Sequence, residues 1–309
     1  MNRHAITVIG GNNIDIIATS HTQIVYGDSN PGKIRTSLGG VGRNIAENLT
    51  RLRQNVRLIT AFGDDEFSYL VKNQAQRIQM DISESVNVSG IGNSMYLCVN
   101  DPSGEMMVGI SDMDVCAAIT PAFLATKMPL LNASEAVVVD ANLSEESIAY
   151  LAETCTAPMY AEAVSVKKAG RFASHLSMFT GVKANRIEME LLSGMRIGDR
   201  EEALKAIGHL HSIGVSRVFL TMGKEGACAS DGVEAHFEHT ARYKPVNTTG
   251  CGDAFYASAI CAALDGENCL DVLRTGLSGA AVCALSETAV AENMSPEALL
   301  PYLEQFQEG

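Results

Sequence analysis

The chain has 309 residues, 46% of them hydrophobic and 19% charged, which is ample for a sizeable α/β core. A formal net charge of −13 is repelled by phosphate backbones and anionic membranes, so neither nucleic acid nor a membrane surface is an expected partner. An anionic ligand would need a local nest of backbone N–H groups, a few cations and a metal.

In chain order, Ala5–Gly10 reads as a buried strand and Asn44–Arg53 as a helix with Ile45, Leu49 and Leu52 on one face. Val56–Ala61 follows as a strand and Glu66–Arg77 as a helix. Met95–Asn100 and Glu105–Ile110 form a hairpin around the turn Asp101-Pro102-Ser103-Gly104. Ala136–Asp140 has the apolar run of a covered parallel strand, and Ser144 offers an N-cap for a helix through Glu153. Strands near Met159, Met178 and Val218–Thr221 alternate with helices such as Glu201–His211. Helices Ala254–Leu264 and Leu270–Leu285, and one after Ser295, complete the chain.

This alternation predicts an α/β fold with a doubly wound, mostly parallel sheet in one domain spanning residues 1–309. Residues 11–37 and 90–112 carry hairpin patterns and are expected to form a small β lid over one edge. Exposed strand edges on such a lid would be covered by pairing two copies, which predicts a homodimer. Eight cysteines without a CxxC pair fit a reducing compartment, and no stretch approaches the roughly 20 apolar residues of a membrane span. A cytoplasmic protein is expected.

The chemistry concentrates in Asn247-Thr248-Thr249-Gly250-Cys251-Gly252-Asp253. Two glycines flank one residue at a helix start, where N–H groups of Gly250, Cys251 and Gly252 can converge on an anion. Asp253, in the first helical turn, can accept a proton from an attacking hydroxyl. Taken alone, the pattern is better explained as a glycine turn with an acidic first-turn residue that suits the helix dipole, since such short patterns recur by chance. A second glycine run, Leu38-Gly39-Gly40-Val41-Gly42-Arg43-Asn44, precedes the first helix. Its spacing is not GxGxxG and no strand directly precedes it, so a dinucleotide loop is not expected. Asn13 and Asp15 follow the first strand, at the end where α/β sheets bind ligands. Lys183-Ala184-Asn185-Arg186-Ile187-Glu188 places Asn185 and Glu188 one turn apart, as ligands for a phosphate-bound metal or as a plain helix cap. Thr221-Met222-Gly223-Lys224-Glu225-Gly226 reads by itself as a simple turn.

Together and in this order, these motifs resemble the PfkB (ribokinase-like) carbohydrate kinase family. The resemblance extends from Ile6 to about Leu285. It implies a kinase that uses ATP and Mg²⁺, with Asp253 as base and the Gly250–Gly252 turn as anion hole. It implies further that Asp15, Asn13, Gly39, Gly40 and Asn44 hold the sugar. ATP would lie on Lys183, Asn185, Thr221, Gly223 and Gly226, with Asn185 and Glu188 toward the metal. Cys251 stands where the family more often has Ala, and a buried structural thiol is expected there. Asn247 stands where members with a monovalent-cation site often have Asp, so what the resemblance implies for K⁺ is a site near Asn247, Thr249 and the Ala284–Ala289 loop in which Asn replaces that Asp.

Ser29-Asn30-Pro31-Gly32 ahead of the Gly39–Asn44 loop, and Glu162-Ala163-Val164-Ser165, are similar to segments of the members that act on pseudouridine. Ala163 replaces the usual Pro there. The implied reaction is phosphorylation of the 5′-hydroxyl of this C-linked nucleoside. The alternatives are another acceptor, such as ribose, adenosine or uridine, or a catalytically silent nucleoside-binding regulator.

Overall fold

Alternate residues of the apolar strands bury themselves on opposite faces of one sheet. In the computed structural model, which describes residues 1–307, Val137 and Val139 join one core cluster while Val138 joins the other. Both faces of such a sheet must be covered by helices, and a parallel arrangement results. Eight strands run in the order Ala235–Glu238, Ala227–Ser230, Arg217–Thr221, Gly181–Asn185, Met159–Glu162, Ala136–Asp140, Ala5–Ile9 and Asn55–Ile59. The last six are mutually parallel, and the first two form an antiparallel edge.

A second sheet has the order Gly32–Gly39, Asn13–Ser20, Met95–Asn100, Met106–Asp112. It gathers the two hairpin segments anticipated from the sequence. The strand Met106–Asp112 is exposed along its whole length. It starts one residue later than anticipated because Glu105 belongs to the turn, where its amide donates to Asp101 Oδ1 at 3.0 Å.

Helix Glu66–Arg77 has the anticipated ends, and Ser144 caps helix Glu145–Thr154 by accepting from the Ser147 amide at 3.2 Å. The strand anticipated near Met178 is a 3₁₀ turn, Leu176–Met178, and the strand begins only at Gly181. Phe179 packs edge-on against Phe172 with ring centroids 5.2 Å apart, so this apolar stretch is a buried corner. Helix Val41–Arg51 packs against helix Cys251–Leu264, which brings their N-termini together at the carboxyl ends of the parallel strands. No helix among the described residues is long and apolar enough to cross a membrane.

Candidate active site

Gly250 ends the turn before helix Cys251–Leu264 with φ 81°, and a Cβ there would run into the Ala289 carbonyl. Only glycine takes this backbone without strain. The turn aims the helix start into the sheet's carboxyl edge. The Cys251 amide donates to the Thr248 carbonyl at 3.3 Å and so closes the turn. The anion hole expected from Gly250, Cys251 and Gly252 is therefore shifted. No acceptor among the described residues takes the amides of Gly250, Gly252 and Asp253, and these are the donors left for an anion.

Asp253 is buried beside them. Asn44 Nδ2 donates to its Oδ2 at 2.8 Å. Asn44 is itself fixed, because Arg43 Nη1 donates to its Oδ1 at 2.8 Å and to the Leu38 carbonyl at 3.0 Å. Arg43 also pairs with Glu47 inside the core. Asn44, anticipated as a sugar ligand, thus orients the Asp253 carboxylate. Burial, helped by repulsion from Glu162, pushes the Asp253 carboxyl up to about 7, against the pull of Lys183 and of the Asn44 hydrogen bond.

Glu162 and Lys183 lie directly opposite on neighbouring parallel strands. Lys183 Nζ donates to Glu162 Oε1 at 2.5 Å, and Glu162 Oε2 accepts from the Val164 amide at 2.9 Å. Val164 pays for that contact with φ 63°, a costly angle for a β-branched residue. Burial disfavours the Lys183 charge, yet Glu162, Glu188 and Asp253 outweigh it and hold the ammonium protonated. That ammonium abuts the nest: a Cβ on Gly252 would lie 2.9 Å from Nζ.

Asn185 and Glu188 form a reciprocal capping box. Asn185 Oδ1 accepts from the Glu188 amide at 3.0 Å, and Glu188 Oε2 accepts from the Asn185 amide at 2.8 Å. The cap leaves Glu188 Oε1 and the Asn185 side-chain amide without a hydrogen-bond partner among the described residues. Thr221 sits beside Asn185 on the adjoining strand, and Gly223 and Gly226 shape the turn that follows. None of these three bonds to the Asp253 cluster.

On the facing sheet, Asn13 Nδ2 donates to Asp15 Oδ1 at 2.5 Å, and the Asp15 carboxylate lies over Gly39, where any Cβ would strike it. Burial raises the Asp15 carboxyl. Gly40, at φ 95°, lets the helix start approach the Gly11–Asn12 backbone. A cleft of about 860 Å³ separates Asp15, Lys33 and Arg35 from Asn247, Thr249 and Ala289. Asp140, which sequence reasoning passed over, locks the floor. Its carboxylate accepts from the amides of Gly11, Gly42 and Asn142 at 2.8–2.9 Å. A lone acid at the end of the apolar strand Ala136–Asp140 was the available clue.

The sequence profile described as pfkB family carbohydrate kinase matches residues 3–296. The chain belongs to this family. Pseudouridine kinase from Escherichia coli K12 is 35% identical to it over 84% of each chain. Guanosine-inosine kinase from Exiguobacterium acetylicum is 28% identical, covering 94% of this chain and 97% of its own. Ribokinase from Arabidopsis thaliana, solved with ribose and ATP, shares the fold with TM-score 0.86 and 18% identity over 98% of this chain and 99% of its own. As a pfkB kinase the protein transfers a phosphoryl group to an alcohol, and the ribokinase-like fold anticipated from its motifs is the one it has.

Proposed function

We propose that the protein transfers the γ-phosphoryl group of ATP to the 5′-hydroxyl of pseudouridine. The observation that carries the chemistry is Asp253, a buried carboxylate poised near neutrality beside amides that bond to no acceptor among the described residues. Asn44 engages Oδ2 and leaves Oδ1 to take the hydroxyl proton. The amides of Gly250, Gly252 and Asp253, with Lys183 behind Gly252, face the charge that builds on the transferred group. Asp15 and Asn13, from the opposite sheet, would hold the ribose, and that sheet would act as a lid over the acceptor.

The described residues hold no cluster of three or more His, Cys, Asp or Glu side chains suited to a metal. One free Glu188 oxygen and Asn185 instead fit Mg²⁺ that arrives on the nucleotide, which usually keeps waters and phosphate ligands. Bound there, the metal would neutralise the phosphate oxygens. K⁺ beside Asn247 and Thr249 belongs to the same reading, as does ATP along Lys183, Asn185, Thr221, Gly223 and Gly226. The exposed edge strand Met106–Asp112 supports a homodimer, to be checked by light scattering.

The likeness to pseudouridine kinase favours that acceptor. A coupled ADP-release assay over pseudouridine, uridine, adenosine, inosine and ribose tests it. Pseudouridine should give the highest kcat/KM. A higher value for another acceptor reassigns the substrate, and nucleoside-induced thermal stabilisation without any turnover makes the protein a silent binder.

The pH profile follows from the raised Asp253 carboxyl. Its ionised form is the base, so kcat/KM should fall about tenfold per unit below pH 7 and level off above it. A profile that is flat from pH 5 to about 8 contradicts a base with this pKa.

A further inference from the structure

The second sheet has two unlike faces. Ile14, Ile16 and Leu38 turn to Phe62 and Val71. The alternate residues turn the other way. Asp15, Ile17 and Thr19 lie opposite Ser37, Arg35 and Lys33 on the neighbouring antiparallel strand, and all six line the cleft of about 860 Å³. Lys33 and Arg35 therefore share a face with Asp15. Across the cleft stand Asn247 and Thr249, in the turn that ends at Gly250, and Ala289, whose carbonyl that turn presses on.

Both cations are exposed, and neither forms an ion pair with a described residue. The cations nearer Asp253 are committed: Arg43 pairs with Glu47, and Lys183 pairs with Glu162. Acids dominate the surroundings. Glu162, Glu188 and Asp253 crowd Lys183, and Asp15 and Glu287 line the cleft itself. A ligand with several negative charges is repelled by such a cleft unless Lys33 and Arg35 face it. We propose that Lys33 and Arg35 bind the triphosphate of ATP from the side of the second sheet, opposite the amides of Gly250, Gly252 and Asp253.

The chemistry of the two side chains suits that ligand. A nucleoside or free sugar is neutral and gives two cations nothing to pair with, whereas a polyphosphate does. The planar Arg35 guanidinium can take two phosphate oxygens at once, and Lys33 adds a mobile point charge one strand repeat away. The acid they could otherwise meet is Glu287, exposed on the far wall. That the anion is ATP rests on the phosphoryl-transfer reading above.

The test is titration calorimetry with ATP and Mg²⁺, without acceptor, on the parent, Lys33→Met, Arg35→Met and the double variant. Each single variant should bind ATP about tenfold more weakly, the size of a lost hydrogen bond to a charged group, and the double variant more weakly than either. AMP, which lacks the outer phosphates, should bind all four proteins alike. Arg35→Lys keeps the charge and should retain most of the affinity. Added salt should weaken ATP binding in the parent more than in the double variant. In turnover, KM for ATP should rise while kcat and KM for the acceptor stay near the parent values. Exposed positions should leave the ligand-free melting temperature unchanged, and Lys33→Gln and Arg35→Gln replace any methionine variant that aggregates.

Parent-like ATP affinity in the double variant overturns the proposal, and so does a loss of AMP binding as large as that of ATP. Two results would reassign the cations and equally overturn it. One is retained ATP affinity with loss of the thermal stabilisation given by ribose 5-phosphate, which assigns them to an anionic acceptor. The other is retained ATP affinity with a lower ligand-free melting temperature, which assigns them to a latch on Glu287. A parent that binds no ATP removes the phosphoryl-transfer reading and this proposal with it. A parent that binds ATP beside variants that bind it equally removes only the role of Lys33 and Arg35.

Discussion

Asp253→Asn should lower kcat by a factor on the order of 10² or more while KM for ATP and for the acceptor stays near the parent value. The replacement carboxamide has the same shape, and its oxygen can still accept from Asn44 Nδ2, now found at 2.8 Å from Oδ2. What disappears is the capacity to take the hydroxyl proton. The folded protein should not suffer. Burial and Glu162 both disfavour the Asp253 charge, so a neutral group there should leave the melting temperature equal or higher. Steady-state kinetics with a thermal scan checks both halves. A variant with near-parent kcat would remove Asp253 from the role of base.

Lys183→Met should cost about 3–5 kcal/mol of stability, the usual penalty for stranding one partner of a buried ion pair. The side chains of Lys183 and Glu162 are 8% and 2% exposed, and Glu188 and Asp253 also depend on this ammonium. Without it the Asp253 carboxyl should climb further above 7, so the pH limb of kcat/KM should move to higher pH. The double variant Lys183→Met/Glu162→Gln separates the two effects. It should recover much of the lost stability in urea titrations, because no uncompensated Glu162 charge remains, while kcat stays low for want of a cation behind Gly252. A double variant as unstable as the single one would mean that Lys183 matters for packing and not for charge.

Much of this site could be read from local pattern. Asp253 opens a helix after two glycines at the carboxyl edge of the parallel sheet, whereas Asp15 follows the first strand but lies inside strand Asn13–Ser20 of the second sheet. Pairings across the sheet were not legible. The Glu162–Lys183 contact needs the order of the strands and their register, which no local window contains. Asp140 was missed because its partners are backbone amides of a distant loop and helix. The spacing of Asn185 and Glu188 suits metal binding and capping alike, and the structure shows the cap in place. The turn near Met178 misled because a buried corner and a buried strand share the same apolar composition.

The bond from Asn44 to Asp253 joins residues 209 positions apart. Its strand neighbourhood is equally non-local, since Ala5–Ile9 pairs with Ala136–Asp140. Such long-range contacts pay their loop-closure entropy before any reward arrives, which makes assembly slow. During synthesis the glycine loop and Asp15 would leave the ribosome long before Asp253 does. On the proposed assignment, the acceptor-facing half of the site would exist before the catalytic half, and competence would arrive in one step, when the helix bearing Asp253 docks.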